Sequence, residues 1–381
     1  MHTPLPRRAW LAVELPGDEL AFTPAGLTVA AVIVDGMATR AGVQDGDIIT
    51  SVAGLPVRTL AELRAALRRA GGSPTTQIEY ARSGEPLARI VEVTHAPIEQ
   101  LEGIDLVYGE LPVAGSRLRT IATHTATPRA AVFVIQGIAC ESIDGSDAPL
   151  VELVHGWARA GFDTFRVDKQ GVGDSEGGPC NELDFATELA GFEAALSAAQ
   201  ARARALAIPL VVFGHSVGAI IAAHLAPGRG LAGCITYGAP TSRWLACVVD
   251  TTRRQLALHG EPPEELERSA TALAERAITS GINGRSGAYH RQLDAIDPAA
   301  LWARVHVPVL VVRGEHDWVV RADDQARIAQ LAPCSTLVDL PGLDHLLGWH
   351  PDQAASLRDY GAGRFDPAII AATVEWIGRL C

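Results

Sequence analysis

Hydrophobic and polar positions along this chain change rhythm near residue 100. Over residues 26–93, short stretches of strand and helix character alternate. Residues 27–32 read as a strand, residues 36–43 as a turn with a short helix, and residues 45–52 as a turn leading into a buried strand. From residue 60 to 70 the apolar positions Leu60, Leu63, Ala66 and Leu67 recur at helical spacing. Thr59 is placed to cap that helix, with Glu62 three residues on as the reciprocal partner of a capping box. Residues 96–103 have mixed composition and carry Pro97, which marks a boundary. Beyond it the strands are longer and more uniformly apolar: residues 104–108, 118–124, 130–135, 163–167, 210–213, 233–237, 309–312 and 336–340. Helical patterns at residues 149–160 and 182–204 separate them, which predicts a mainly parallel sheet covered on both faces. In such sheets reactive groups gather at the carboxyl ends of the strands. A long insertion lies between Tyr237 and Val305, where Pro262 and Pro263 open a helical run over residues 264–278 and Gly281 and Gly284 close it.

The strand at residues 210–213 runs into Gly214-His215-Ser216-Val217-Gly218, and an Ala/Ile-rich helical pattern follows through Leu225. In a glycine-rich chain the pentapeptide alone carries little. Strand, tight turn and helix in immediate succession are the context of a nucleophile elbow, which holds a serine on strained backbone with its hydroxyl pushed out of the sheet. Glycine on either side lets strand and helix approach closely.

Three further motifs join it. They are Asp168-x-Gln170-Gly171-x-Gly173-x-Ser175-x-Gly177, the apolar run from Val307 ending in Arg313-Gly314-Glu315-His316-Asp317, and Leu340-Pro341-Gly342-Leu343-Asp344-His345. With these motifs residues 104–381 resemble the α/β-hydrolase family. The resemblance implies an α/β fold with a mainly parallel sheet flanked by helices and a helical cap at about residues 241–300. It implies Ser216 as nucleophile, His345 as general base and Asp317 as the acid that orients it, in the chain order expected of that fold. The oxyanion donors it implies are the N–H of Val217 and one from the loop after Ile135, Gly137 or Ile138. The family often has His-Gly in that loop, where this chain has Gln136-Gly137. Glu315, Asp323 and Asp324 are rivals to Asp317, and His350 to His345; loop position favours the named pair. His215, His224 and His316 read as packing or surface residues, and Asp174 and Glu176 as caps of the glycine-rich loop.

The implied activity is that of a serine hydrolase cleaving a carboxylic ester or thioester through an acyl-enzyme, with no cofactor or metal. The same triad serves an acyltransferase or cyclase. A catalytically silent binding protein on the hydrolase scaffold is the other reading, against which the complete residue set argues. A serine at the elbow argues against the branches of the family with a carboxylate there. Trp244, Leu256, Leu258, Leu266, Leu273 and Ile278 are apolar residues placed to roof a pocket for a small acyl substrate.

The first module has its own resemblance. Ala41-Gly42-Val43-x-x-Gly46-Asp47-Ile48-Ile49, then Val52-Ala53-Gly54 and the helix from Thr59, make residues 1–97 resemble a PDZ domain of bacterial type. This implies a groove in which a C-terminal peptide adds as a strand, its carboxylate held by backbone N–H groups near Ala25, Gly26 and Leu27. A module that only packs or supports a homo-oligomer is the plainer reading. The chain's own end, Gly378-Arg379-Leu380-Cys381, is one candidate ligand.

Composition narrows the partners. A net charge of −12 without a cluster of Arg or Lys argues against nucleic acid and anionic membrane. No uncharged apolar run approaches the length of a membrane span, and Glu14, Asp18 and Glu19 interrupt any leader-like stretch. The six cysteines lack metal-ligand spacing, so reduced thiols in a cytoplasmic protein are the expectation, with Cys140 and Cys180 the pair whose loops could meet.

Overall fold

The computed structural model describes residues 5–15, 21–145, 148–360 and 362–381. Contacts divide the chain into two units. One comprises Met1–Ile98 with Ala114–Arg119 and Asp168–Asn181; the other comprises Glu99–Val113, Thr120–Val167 and Glu182–Cys381.

In the first unit the strands Phe22–Thr23, Gly26–Thr28, Ile48–Val52, Thr75–Arg82 and Glu85–Glu92 lie side by side in that order, all antiparallel. Helix Leu60–Gly71 turns Leu63 and Ala66 into a core shared with Leu27, Ile49, Val52 and Ile78. Thr59 caps this helix, accepting the Glu62 N–H at 3.1 Å. The Glu62 carboxylate, however, takes the N–H of Arg58 rather than that of the cap residue, at 2.7 Å. Asp174 is the hub of this unit's polar interior. Its fully buried carboxylate accepts from Arg7 at 2.7 Å, from the Arg8 backbone at 2.9 Å and from Arg119 at 3.0 Å. It is therefore a buried counterion to three arginine residues, not the loop cap that the sequence suggests.

The second unit is organised by an eight-stranded sheet. From one edge its order is Ser335–Leu340, Val309–Gly314, Gly233–Tyr237, Leu210–His215, Ala130–Ile135, Phe162–Val167, Ser116–His124 and Asp105–Val113. The first six run parallel, and Ser116–His124 joins Phe162–Val167 antiparallel. The chain thus has the α/β-hydrolase fold. The central strands are buried along nearly their whole length, as parallel strands covered on both faces must be. Helix Pro149–Arg159 brings Trp157 into the core beside Phe213, and its indole N–H donates to Thr373 of helix Ala368–Gly378 at 2.8 Å. Leu380 also packs against this core.

The insertion forms four helices, Trp244–Leu258, Pro263–Thr279, Gly287–Asp294 and Pro298–Trp302. The first has no counterpart in the sequence reading, because its apolar positions are interrupted by Asp250, Arg253 and Arg254. Among the described residues, no helix is long and apolar enough to cross a membrane.

Candidate active site

Ser216 sits between strand Leu210–His215 and helix Val217–Leu225 with φ 56° and ψ −123°. Backbone of this kind costs a non-glycine residue about 1–3 kcal/mol. The surroundings hold it there. Its N–H donates to Tyr237 O at 2.8 Å, and its carbonyl accepts from Ala219 at 2.9 Å. The flanking glycines are required by close approach. A Cβ on Gly214 would lie 2.5 Å from Ala219 Cα, and one on Gly218 only 2.3 Å from the Ile135 carbonyl oxygen.

Asp317 follows strand Val309–Gly314, and His345 follows Ser335–Leu340. Fold geometry brings these two together: His345 Nδ1 lies 2.9 Å from Asp317 Oδ2, and both residues are buried. The other carboxylate oxygen accepts the N–H groups of Val319 and Val320, each at 2.8 Å. Burial alone would raise the Asp317 pKa. The neighbouring His345 and the two backbone donors outweigh it and hold the carboxyl below its usual range. With Asp317 ionised, its Oδ2 is an acceptor for an Nδ1 proton of His345. Gly238 makes room for the ring, since a Cβ there would stand 2.7 Å from His345 Cε1.

The loop after Ile135 passes directly over the elbow. A Cβ on Gly137 would be 3.3 Å from Ser216 Cβ. Val217 opens the helix, where backbone N–H groups lack intrahelical partners. Ile138 is half-buried beside Gly137. Gln136, at the position where His was the family expectation, donates through Nε2 to Glu141 O at 3.3 Å.

Sequence reasoning missed what anchors this loop. Glu99, in the segment read as a domain boundary, is buried, accepts the Gly145 N–H at 2.9 Å and pairs with His155 Nε2 at 2.8 Å. Arg166 pairs with the same carboxylate and donates to Ile143 O at 2.6 Å, while Tyr108 donates to Asp144 at 2.7 Å. Burial pushes the Glu99 pKa up, but His155, Arg166 and the Gly145 N–H together bring it below the ordinary value. No local pattern announces such a cluster, since its members are up to 67 positions apart.

The rivals have structural work. Glu315 accepts the Gly342 N–H at 3.0 Å, and Asp324 accepts that of Thr241 at 2.8 Å. His350 faces Asp344 at 3.2 Å and Asp359 at 3.6 Å. Of the cap residues, Trp244 is buried and donates to His290 Nδ1 at 2.7 Å; Leu256, Leu266, Leu273 and Ile278 are half-buried, and Leu258 is exposed. Burial lowers the His290 pKa, consistent with a neutral ring that accepts at Nδ1 and donates from Nε2 to Ile282 O at 3.0 Å. Arg285, at the cap's last turn, is wholly buried against Glu188 and over the Tyr289 ring, 3.9 Å from its centroid. Cys234, Cys247, Cys334 and Cys381 are free thiols.

The residues expected to hold a peptide carboxylate, Ala25, Gly26 and Leu27, lie in the first unit. Leu27 pairs with Phe22 on one side and Ile49 on the other, so both edges of its strand are taken. The N–H groups of Ala25 and Gly26 face the Thr23 hydroxyl, each at 3.3 Å, at the turn of a tight hairpin.

Comparison with known proteins agrees with both halves. Residues 28–78 match the model of the PDZ domain, and residues 126–254 match that of serine aminopeptidase, S33. A probable periplasmic serine endoprotease, DegP-like, of Pseudomonas savastanoi is 29% identical over 157 residues, 39% of this chain and 33% of that protein. The chain thus spans about a third of the length of this curated relative. Among solved structures, Est1E from Butyrivibrio proteoclasticus with bound ferulic acid aligns at TM-score 0.52 and 17% identity, covering 71% of this chain and 98% of its own. A soluble variant of monoglyceride lipase from Saccharomyces cerevisiae aligns at 0.51 and 16%, covering 75% and 99%.

Proposed function

For a serine hydrolase of the α/β-hydrolase fold that carries a PDZ domain, we propose cleavage of a carboxylic ester or thioester through an acyl-enzyme on Ser216. The observation that carries this reading is the 2.9 Å bond between His345 and Asp317 at the strand ends beside the strained Ser216. His345 Nε2 takes the Ser216 proton as Oγ attacks the substrate carbonyl. The N–H of Val217 and one from the Gly137–Ile138 peptide region receive the oxyanion. Collapse expels the alcohol or thiol, which leaves with the proton held on His345. Water then attacks the acyl carbon as His345 accepts its proton, and His345 returns that proton to Ser216 Oγ as the acid departs. Asp317 holds the imidazole in the required tautomer throughout. The partly apolar cap supports an acyl group of hydrophobic character. The aminopeptidase model over residues 126–254 favours an amide as the second reading.

The PDZ domain, in this proposal, recruits a partner through an extended C-terminal tail, at an edge other than the Ala25–Leu27 hairpin. The compartment belongs to the same proposal. Cytoplasmic residence is the first reading, and the periplasmic setting of the DegP-like relative supports an oxidising compartment as the second. Thiol labelling of intact cells decides between them.

Labelling of the purified protein with a fluorophosphonate, alongside Ser216→Ala and a panel of aryl esters, acyl thioesters and aminoacyl amides, tests the chemistry. Labelling lost in the variant is the expected result, with the panel ranking the leaving groups. An intact wild type that takes no label and turns over none of the panel overturns the reading.

A further inference from the structure

His215, the residue before the nucleophile, reads from sequence as a packing histidine. Its position says more. It is the last residue of strand Leu210–His215 and stands in register with Tyr237, the last residue of the neighbouring parallel strand Gly233–Tyr237. Register partners in a parallel pair project to the same side, and here the two rings are 5.9 Å apart. His215 Nε2 lies 2.8 Å from the main-chain oxygen of His345, so that nitrogen carries the proton and donates it. The Tyr237 hydroxyl donates to the main-chain oxygen of Asp344. Two consecutive carbonyls of the histidine loop are therefore held by two donors that the sheet places side by side. The His215 ring also lies 5.0 Å from that of His345, and its Nδ1 side faces Gly137.

We infer that His215 and Tyr237 are positioning residues for the general base. They hold the backbone of Asp344 and His345 against the strand ends, which fixes where the His345 imidazole points between Asp317 and Ser216. This deepens the proposed function and rests on its assignment of His345. The physical argument is one of leverage. Asp317 constrains the ring through one bond at Nδ1, about which the imidazole can still swing. Holding the carbonyl of the same residue constrains the backbone from which the ring projects. A displacement of about 1 Å at a reacting group can cost on the order of 100-fold in rate.

The test is steady-state kinetics of the full chain on an aryl ester, with the melting temperature recorded for each variant. His215→Phe keeps a ring but lacks the donor, and kcat should fall about 10- to 100-fold with KM changed by less than about 3-fold. His215→Gln, whose amide nitrogen reaches the place of Nε2, should recover most of the loss. Tyr237→Phe removes one oxygen and should lower kcat in the same direction, which keeps the idea testable if His215→Phe does not fold. A merely structural role would lower the melting temperature and leave kcat of the folded fraction intact, and that result overturns the proposal. Equal impairment in His215→Gln and His215→Phe overturns it for His215. His345→Ala separates the two levels. If it abolishes turnover while the His215 and Tyr237 variants remain at full kcat, only the positioning inference falls; if it turns over normally, the assignment of the base falls first and the inference with it.

Discussion

Two Asp–His pairs lie close together in the second unit, and the proposed mechanism gives them opposite purposes. In one, Asp317 gives one oxygen to the N–H groups of Val319 and Val320 and the other to His345 Nδ1. In the other, Asp344 gives one oxygen to the N–H groups of Leu346 and Gly348 and the other to the Ser356 hydroxyl at 2.6 Å. His350 then faces that carboxylate at 3.2 Å, without hydrogen-bond alignment, and Asp359 on its other nitrogen at 3.6 Å. All four residues are buried. Burial and a carboxylate neighbour therefore do not distinguish a base from a strut. A base needs one ring nitrogen held and the other directed at a nucleophile, and His350 has carboxylates on both sides.

The largest difference should appear in His345→Ala set beside His350→Ala. The first should lower kcat by at least about 10⁴-fold. The second should leave kcat of the folded protein within about 3-fold and register in the melting temperature. Comparable losses of kcat would erase the contrast. Asp317→Asn comes next, with a fall of about 10⁴-fold because the neutral amide permits the wrong tautomer. Asp344→Asn should instead cost stability, about 1.5–3 kcal/mol per charge-assisted bond weakened, measured by denaturant titration. Gly238→Ala should follow with on the order of 100-fold in kcat, since its Cβ would stand 2.7 Å from His345 Cε1 and its φ is +61°.

The smallest effect on chemistry, and the clearest on pH, belongs to a third buried carboxylate–imidazole pair, Glu99 with His155. Glu99 is held below its ordinary pKa, so it adds stability that is fully present above the unfolded value of about 4.3 and disappears as pH falls through the lower folded value. Acid unfolding of wild type against Glu99→Gln should show the gap between them narrowing over that window. A variant that removes the buried charge partner of Arg166 should also lose about 3–5 kcal/mol at neutral pH. An unchanged gap from neutral pH down to below that window would show that Glu99 is not held as an anion.

Much of the second unit was legible because its signals are local. Apolar runs of strand length, the Gly-x-Ser-x-Gly turn and the endings at Asp317 and His345 are each read within a dozen neighbours. The failures share a cause. The two neighbours of the strand at Leu27, Phe22 and Ile49, are seen only in the folded sheet. Asp174 reads as a loop cap until Arg7 and Arg119 close on it from 167 and 55 positions away. Helix Trp244–Leu258 is masked by charged residues that interrupt its apolar face.

The sequence by itself determined the order of strands and helices, the strained serine between two glycines and the candidates for acid and base, because periodicity, turn geometry and backbone strain act between near neighbours. Only the tertiary structure decided which Asp–His pair stands at the strand ends, which carboxylates are struts, and that His215 and Tyr237 grip consecutive carbonyls of the histidine loop. Hydrogen bonds and burial act between whatever side chains the sheet register brings within about 3 Å, and register is a property of the assembled sheet.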